Sequence, residues 1–502
     1  MGDAASRGNP SVGGVSLFNG NLFMQSVDLA VPGKGISFAL SRSYNSYDWQ
    51  YETDHGGVPA NRPWRFNIEM KIGYVPNSGN KRLYIAREDG SGESYFLSAG
   101  TWYPIDLGNF STIKVNVDGT YTVQTRGQLS HTFDAPSGTG RLLRTSDRDG
   151  NQITYAYGGN GKVSQITDSS GRAYSVTYDT QVRVSRVTDF TGRYVEYTYT
   201  DTTNGRISTF RDVRGGITTY GYNGNGDLTT VTDPNTNLAL TVSYVTVYGN
   251  KGVKSLTTAV GRATGGRTCN GSTVFTYCFT YTQLAGSAGF TTVVDGPENA
   301  NTLTVTFDNA GRASAITDGK GNTRTTVFAD ISDSASYAKN ALATTRKSAL
   351  GVANGYQTDI GLNLTHGLVE SVKNAESETS AMSWGLNPTS NLFTPNTVTS
   401  PLSNTSSLGF TSSGRPNRIT AAAQYAVAGT AGASTTLGWT NGQLNAITNP
   451  AGNSISLGRD TLGNLTTTTD PRNASWITTR AYDPLGRVNS VTDARGSVNR
   501  FT

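Results

Sequence analysis

The chain has 502 residues, a formal charge of +5, 15% charged and 35% hydrophobic residues, and a pI near 9.0. Its 59 glycines and 25 tyrosines, set against 4 methionines, favour strands and tight turns over helices, so an all-β fold is expected. The cations are spread rather than blocked, which argues against a nucleic-acid partner, and no apolar run is long enough to cross a membrane as a helix.

Residues 1–140 read as a β-rich lead-in without a period. Apolar segments between Gly8 and Ser46 are broken at Asn19-Gly20 and Pro32-Gly33, and hairpin-like pairs follow at Arg82 to Leu97 and Ile113 to Thr125. No apolar leader follows Met1, so either another export route or membership of a longer chain is expected.

Residues 141–244 repeat. Asp147, Asp168, Asp189, Asp212 and Asp233 recur at intervals of 21, 21, 23 and 21 residues, and Tyr157, Tyr178, Tyr199, Tyr222 and Tyr244 keep the same beat. A period of this size signals one small unit that must stack on its neighbours to bury its apolar face. Each unit holds a corner of the form Asp-x-x-Gly: Asp147 to Gly150, Asp168 to Gly171, Asp189 to Gly192 and Asp212 to Gly215. Asp first and Gly fourth is the pattern of a type I turn whose carboxylate accepts an amide two residues on, so these residues are expected to staple turns. The corner is followed by strict alternation, as in Ile153, Tyr155 and Tyr157, which predicts a half-buried strand. A second corner then returns the chain, making each repeat a β-hairpin. The strand before each Asp spaces its apolar residues by three, as Val163 and Ile166, so a bulge or strong twist is expected there.

Residues 245–300 read as an insertion. They hold both cysteines, Cys269 and Cys278, separated by an Asn270-Gly271 turn signal, which fits either a local disulfide across a hairpin or two free thiols. Residues 301–330 restore one repeat, with the corner Asp318 to Gly321. Residues 331–436 read as diverged repeats, with Asn374 in the Asp place and a short helix or loop expected at Ala421 to Ala433. Residues 437–502 recover the pattern, with corners at Asn449, Asp470, Asp483 to Gly486 and Asp493 to Gly496. The last unit stops where its next Tyr-Asp pair is due, so truncation relative to a longer parent is expected.

The residues offer no catalytic set. His55, His131 and His366 stand in unlike contexts, and neither a HExxH, a CxxC, a GxSxG elbow nor a GxxxxGK[ST] loop occurs. No catalytic, cofactor-binding or metal-binding residue is therefore assigned. Asn223 to Leu228 faintly matches a glycine-rich calcium motif and reads better as a turn. The tyrosine ladder fits a packed sheet face, with sugar stacking as its alternative if it faced outward.

The recurring pattern Tyr-Asp-x-x-Gly-Arg-hydrophobic-x-x-Val-Thr-Asp-x-x-Gly, seen in full from Tyr482 to Gly496, resembles the Rhs/YD-repeat family. That family includes bacterial polymorphic toxins, the C components of insecticidal toxin complexes and animal teneurins. The segment Gly20 to Ser46 and the run Gln128 to Tyr157 are similar to the stretches that introduce the repeats in bacterial members. The resemblance implies hairpins stacked into a long spiralling sheet, a cocoon that encloses a toxic C-terminal domain of the parent chain. It also implies a secreted or cell-surface location and service by secretion or delivery proteins. Family shells often end in a self-cleaving segment built on Asp-Pro-x-Gly strings; Asp483-Pro484-Leu485-Gly486 matches once, and reads as a corner. The expectation is thus a non-enzymatic shell, with a carbohydrate- or protein-binding surface module as the alternative and an enzyme third.

Overall fold

The structure is a computed structural model. It describes residues 10–47, 63–87, 91–126, 129–200, 205–248, 250–258, 267–268, 274–275, 277–285, 289–296, 302–332, 334–348, 356–387, 392–422 and 432–501. Among them there is no α-helix, and short 3-10 turns occur at Asn67–Glu69 and Ser334–Ala341. Most of the stretch Ala421 to Ala433 lies outside the described residues, as do Cys269 and His55.

One antiparallel sheet of 33 strands dominates, running from Thr112–Val115 to Val498–Arg500. Each strand pairs with the next in sequence. The one interruption is a small hairpin, Arg267–Thr268 with Val274–Phe275, left outside while Asn250–Thr258 pairs with Tyr277–Gln283. The sheet begins upstream of the periodic block and runs through 245–300 and 331–436, where the sequence period is weak.

Local chemistry makes each hairpin. Asp168 accepts amides from Ser170 and Arg172 at 2.9 and 3.0 Å on Oδ1, while the Gly171 amide donates to the Asp168 carbonyl at 2.9 Å. Gly171 sits at φ +80°, as do its counterparts Gly150, Gly192 and Gly215 within about ten degrees, a left-handed conformation that L side chains resist. The three-residue apolar spacing is accommodated by a bulge. Tyr178 pairs with Val184 and Thr177 with Arg186, so Ser185 is skipped and both Val184 and Val187 turn to one face.

The sheet therefore has two unlike faces. One carries the repeat tyrosines and their aliphatic partners, such as Tyr174, Val176, Val187, Val195 and Tyr197, all buried. The other is lined with hydroxyls that pair across strands, as Thr198 with Thr209 at 2.6 Å and Thr399 with Thr405 at 2.9 Å.

The sheet also coils back on itself. Arg148 Nη1 donates to the Gly414 carbonyl at 2.7 Å across 266 residues, and Arg126 Nη2 to that of Gly367 at 3.3 Å across 241. Arg415 Nε donates to Asp149 Oδ2 at 2.7 Å, and Gly442 packs on the Asp149 side chain. In each case a corner of the earlier lap meets a corner from the opposite rim of the later lap. The sheet is thus a spiral whose laps join edge to edge.

Candidate functional site

The distinctive surface is the tyrosine face. Over the first lap it is covered by the chain's own N-terminal segment. Strands Phe23–Val31, Phe38–Asn45 and Trp64–Phe66 form a small sheet whose side chains share one hydrophobic core with Ile166, Tyr174, Val187, Tyr197 and Phe210. Strands between Lys71 and Pro104 form a second small sheet that covers Val123, Phe133 and Leu142 in the same way.

A buried ion pair fixes the first small sheet. Arg42 Nε donates to Asp28 Oδ2 at 2.7 Å, and Tyr197 of the large sheet donates to the same oxygen at 2.7 Å. The Arg42 guanidinium lies 4.3 Å from the Phe210 ring centroid and 5.0 Å from that of Trp64. Burial pushes the Asp28 carboxyl up, against the opposing pull of Arg42 and Tyr197. Trp64 Nε1 donates to the Tyr222 hydroxyl at 2.8 Å, and Tyr44 accepts the Leu228 amide at 3.0 Å, with burial pushing the Tyr44 hydroxyl up to about 12. The tip of the hairpin, Pro32 to Lys34, touches both laps. Lys34 donates its amide to Ser170 at 3.1 Å, while Gly463 and Gly486 of the later lap close on Lys34 and Pro32.

Beyond about Ile316 the same face continues without that cover. The bulged register carries it on through Ile360, Met382, Trp384, Leu408, Leu437 and Trp439. Positions that are nearly sealed in the first lap become open here: Val187 is 0% exposed, whereas Val372 and Val398 are each 37% and Ile419 is 43%. One continuous apolar wall is thus half filled and half bare.

The corner residues read from the sequence form two rims along the spiral. Asp147, Asp168, Asp189, Asp212, Asp318, Asp483 and Asp493 each accept amides two or four residues on, at 2.8 to 3.0 Å. Gly150, Gly171, Gly192, Gly215, Gly321, Gly486 and Gly496 all sit at φ between +77° and +91°. Two further roles carry no local signal in the sequence. The residue four after the aspartate reaches back to it, as Arg172 does to Asp168 at 2.8 Å and Arg487 to Asp483 at 2.6 Å. The repeat tyrosine donates its hydroxyl to a carbonyl on the preceding strand: Tyr178 to Val163 at 2.8 Å, Tyr199 to Val184 at 2.7 Å and Tyr482 to Leu465 at 2.8 Å. In the diverged repeats Trp384 and Trp439 do the same through Nε1, to Val369 and Pro416, each at 2.7 Å. Over the first lap, among the described residues, the hydroxyls are engaged and the rings are packed under the N-terminal segment.

The remaining candidates are dispersed. His131 is buried, with its ring 3.1 Å from the Thr145 hydroxyl, and burial pushes it down to about 3; His366 lies tilted against the Phe393 ring at 4.2 Å between centroids. Cys278 is buried in the large sheet, and Cys269, with which a disulfide was one of two readings, lies outside the described residues. Among the described residues no group of three or more His, Cys, Asp or Glu side chains is arranged to hold a metal ion. On the hydroxyl face a groove of about 480 Å³ holds Arg186 and Arg211 either side of Tyr194, both facing Glu196.

A spiral sheet grown from one repeated hairpin, its apolar face part-covered by strands between Phe23 and Pro104, defines a repeat-built β protein. Within that class, three stretches of the chain match the RHS-repeat family. The model described as RHS Repeat matches residues 137–173, 438–475 and 459–498, and the one described as Domain of unknown function (DUF6531) matches 13–95. No curated protein matches in sequence. Among solved structures, the chain is similar to TcdB2-TccC3 without its hypervariable C-terminal region, at 12% identity and TM-score 0.43, covering 91% of this chain and 23% of that one. It is also similar to TcdB2-TccC3 itself, at 11% identity and TM-score 0.41, covering 94% and 26%. A third likeness is to the Tc holotoxin pore of Photorhabdus luminescens, at 12% identity and TM-score 0.30, covering 92% and 29%. The chain spans about a quarter of the length of these structures.

Proposed function

We propose that the chain is the wall of a non-enzymatic shell that encloses a polypeptide effector, supplied by the parent chain as a C-terminal domain, in a secreted or surface-delivered bacterial toxin. The single observation that carries this reading is the tyrosine face: one apolar surface, sealed by the chain's own N-terminal segment over the first lap and bare over the second. A curved sheet with one apolar and one hydroxyl-lined face is most stable with the apolar side inward, away from water. The covered face is then the interior wall, and the bare half is where cargo lies. The matches to the RHS Repeat model support the same assignment, and the resemblance noted from the sequence supplies its biological setting.

The test is protease protection. The chain is extended beyond Thr502 with a small protease-sensitive domain and digested beside that domain alone. Protection by at least about tenfold in cleavage rate is expected, equivalent to about 1.4 kcal/mol against exposure. Equal digestion of free and attached domain would sink the shell reading and favour a surface-binding role for the outer face.

A further inference from the structure

Taking the tyrosine face as the interior wall, the geometry assigns a chemistry to its occupant. We infer that the bare half of the wall is built for a polypeptide that presents carboxylates at two places on an otherwise apolar surface. Four wall positions carry arginine. Arg324 pairs in register with Ile316 and Arg346 with Thr326, on adjacent strands near the start of the bare half. Arg459 pairs with Leu465 and Arg480 with Val491, near its end. These partners all belong to the tyrosine face, so the four cations stand on the wall. Outside the corners, no wall position between Leu303 and Asn499 on the described strands carries Asp or Glu.

None of the four meets a carboxylate among the described residues. Arg480 donates to the Thr468 hydroxyl at 2.9 Å, and Arg459 to the carbonyls of Leu444 and Gly463 at 3.4 and 3.0 Å. At several corners arginine is matched by an acid: Arg172, Arg183, Arg193 and Arg312 each pair with the aspartate four residues before, and Arg415 with Asp149. Among the described residues the wall of the first lap, which the N-terminal segment fills, contributes no arginine of this kind, and Arg42, which the segment buries against that wall, is met by Asp28. The same demand holds in the second lap once cargo excludes water, because an unpaired buried charge is strongly unfavourable. The occupant must supply the acid.

Continuity with the filled half makes the wall a docking face, and charge complementarity selects the occupant. The alternative polyanion, nucleic acid, presents a phosphate about every 3.4 Å along a strand and needs a continuous cationic track. Here the two arginine pairs are separated by nine strand spacings, roughly 40 Å along the sheet at about 4.8 Å each. The surface between them is uncharged, with apolar residues such as Ile360, Met382, Trp384 and Leu408 set among hydroxyls such as Ser380 and Ser406.

The experiment uses the full chain and three fluorescent probes read by anisotropy at low salt: an amphipathic Glu/Leu peptide, its Lys/Leu counterpart and a 20-nucleotide single-stranded DNA. The Glu/Leu peptide is expected to bind at least about tenfold tighter than the Lys/Leu peptide, with the preference removed by R324Q/R346Q/R459Q/R480Q. R324Q/R346Q, at two exposed positions, should halve the logarithm of that preference while keeping the parent's circular dichroism and unfolding midpoint. Equal binding of both peptides would overturn the acidic occupant while leaving the interior wall standing. Tighter binding of the DNA with the same arginine dependence would overturn it in favour of nucleic acid. Binding of no probe by a folded chain would overturn the interior-wall reading as well.

Discussion

At Tyr178 one hydroxyl joins two strands by donating to the Val163 carbonyl, and the same bond recurs at Tyr157, Tyr199 and Tyr222. The carbonyl lies at the bulge, where the ladder leaves it without a regular partner. Tyr178→Phe should therefore lower stability by about 1 kcal/mol, the ordinary size of a lost buried hydrogen bond. Urea unfolding followed by tryptophan fluorescence measures it, and an unchanged midpoint would show the bond to be dispensable. The corner carboxylates add a pH dependence. Amides donated by Asn237 to Asp233, by Arg487 to Asp483 and by Ser497 to Asp493, and the Asn322 side chain on Asp318, hold these groups below their ordinary value of 3.8. The Arg472 side chain holds Asp470 down at about 2. They keep their charge to lower pH when folded than when unfolded, so their contribution is complete above about pH 5 and is lost as pH falls through 3.8 toward 2. A urea midpoint equal at pH 5 and pH 3 would refute this. The aspartate and glycine of each corner were legible because turn chemistry is local. The arginine and tyrosine roles were not: a backbone carbonyl fifteen residues away leaves no mark on sequence.

Among the elements, the N-terminal hairpin is the one whose placement decides the site. Its strands were legible from alternation and its turn from Pro32-Gly33. Alternation reports only that one face is buried, never against what, so its seat on strands more than a hundred residues away was invisible. The Asp28–Arg42–Tyr197 cluster is what holds it. Arg42→Gln leaves the Asp28 carboxylate buried without its cation and should cost about 3–5 kcal/mol, while the double change Asp28→Leu with Arg42→Leu should recover most of that. Hydrogen exchange across Phe23–Val31 and Phe38–Asn45 reads the undocking directly. If Arg42→Gln leaves exchange there unchanged, the pair is not the anchor.

For the whole molecule, the repeats predict a sheet, and the spiral follows only from the twist accumulated over many strands, which no single repeat encodes. The seam between laps rests on few contacts, of which the Asp149–Arg415 pair is the most enclosed. Asp149→Asn should loosen the seam by about 1–3 kcal/mol and speed amide exchange in the corner Thr411 to Arg415, with the strands of the first lap unaffected. Uniform acceleration through both laps would mean instead that the sheet unfolds as one unit.

Because every long strand finds its partner immediately before it in the chain, the molecule can be assembled in the order in which a ribosome delivers it. The N-terminal segment is made first and becomes a template on which the first lap winds, each new hairpin adding a local step with little loop to close. The seam corners Gly414 and Arg415 arrive some 266 residues after the corner they join. Closure therefore follows the winding of the first lap, and the second lap is laid down as an open gutter before its corners reach that seam. On the proposed reading, in which the cargo follows Thr502 in the parent chain, the seam corners are made before their occupant, so the wall stands ready when the cargo arrives.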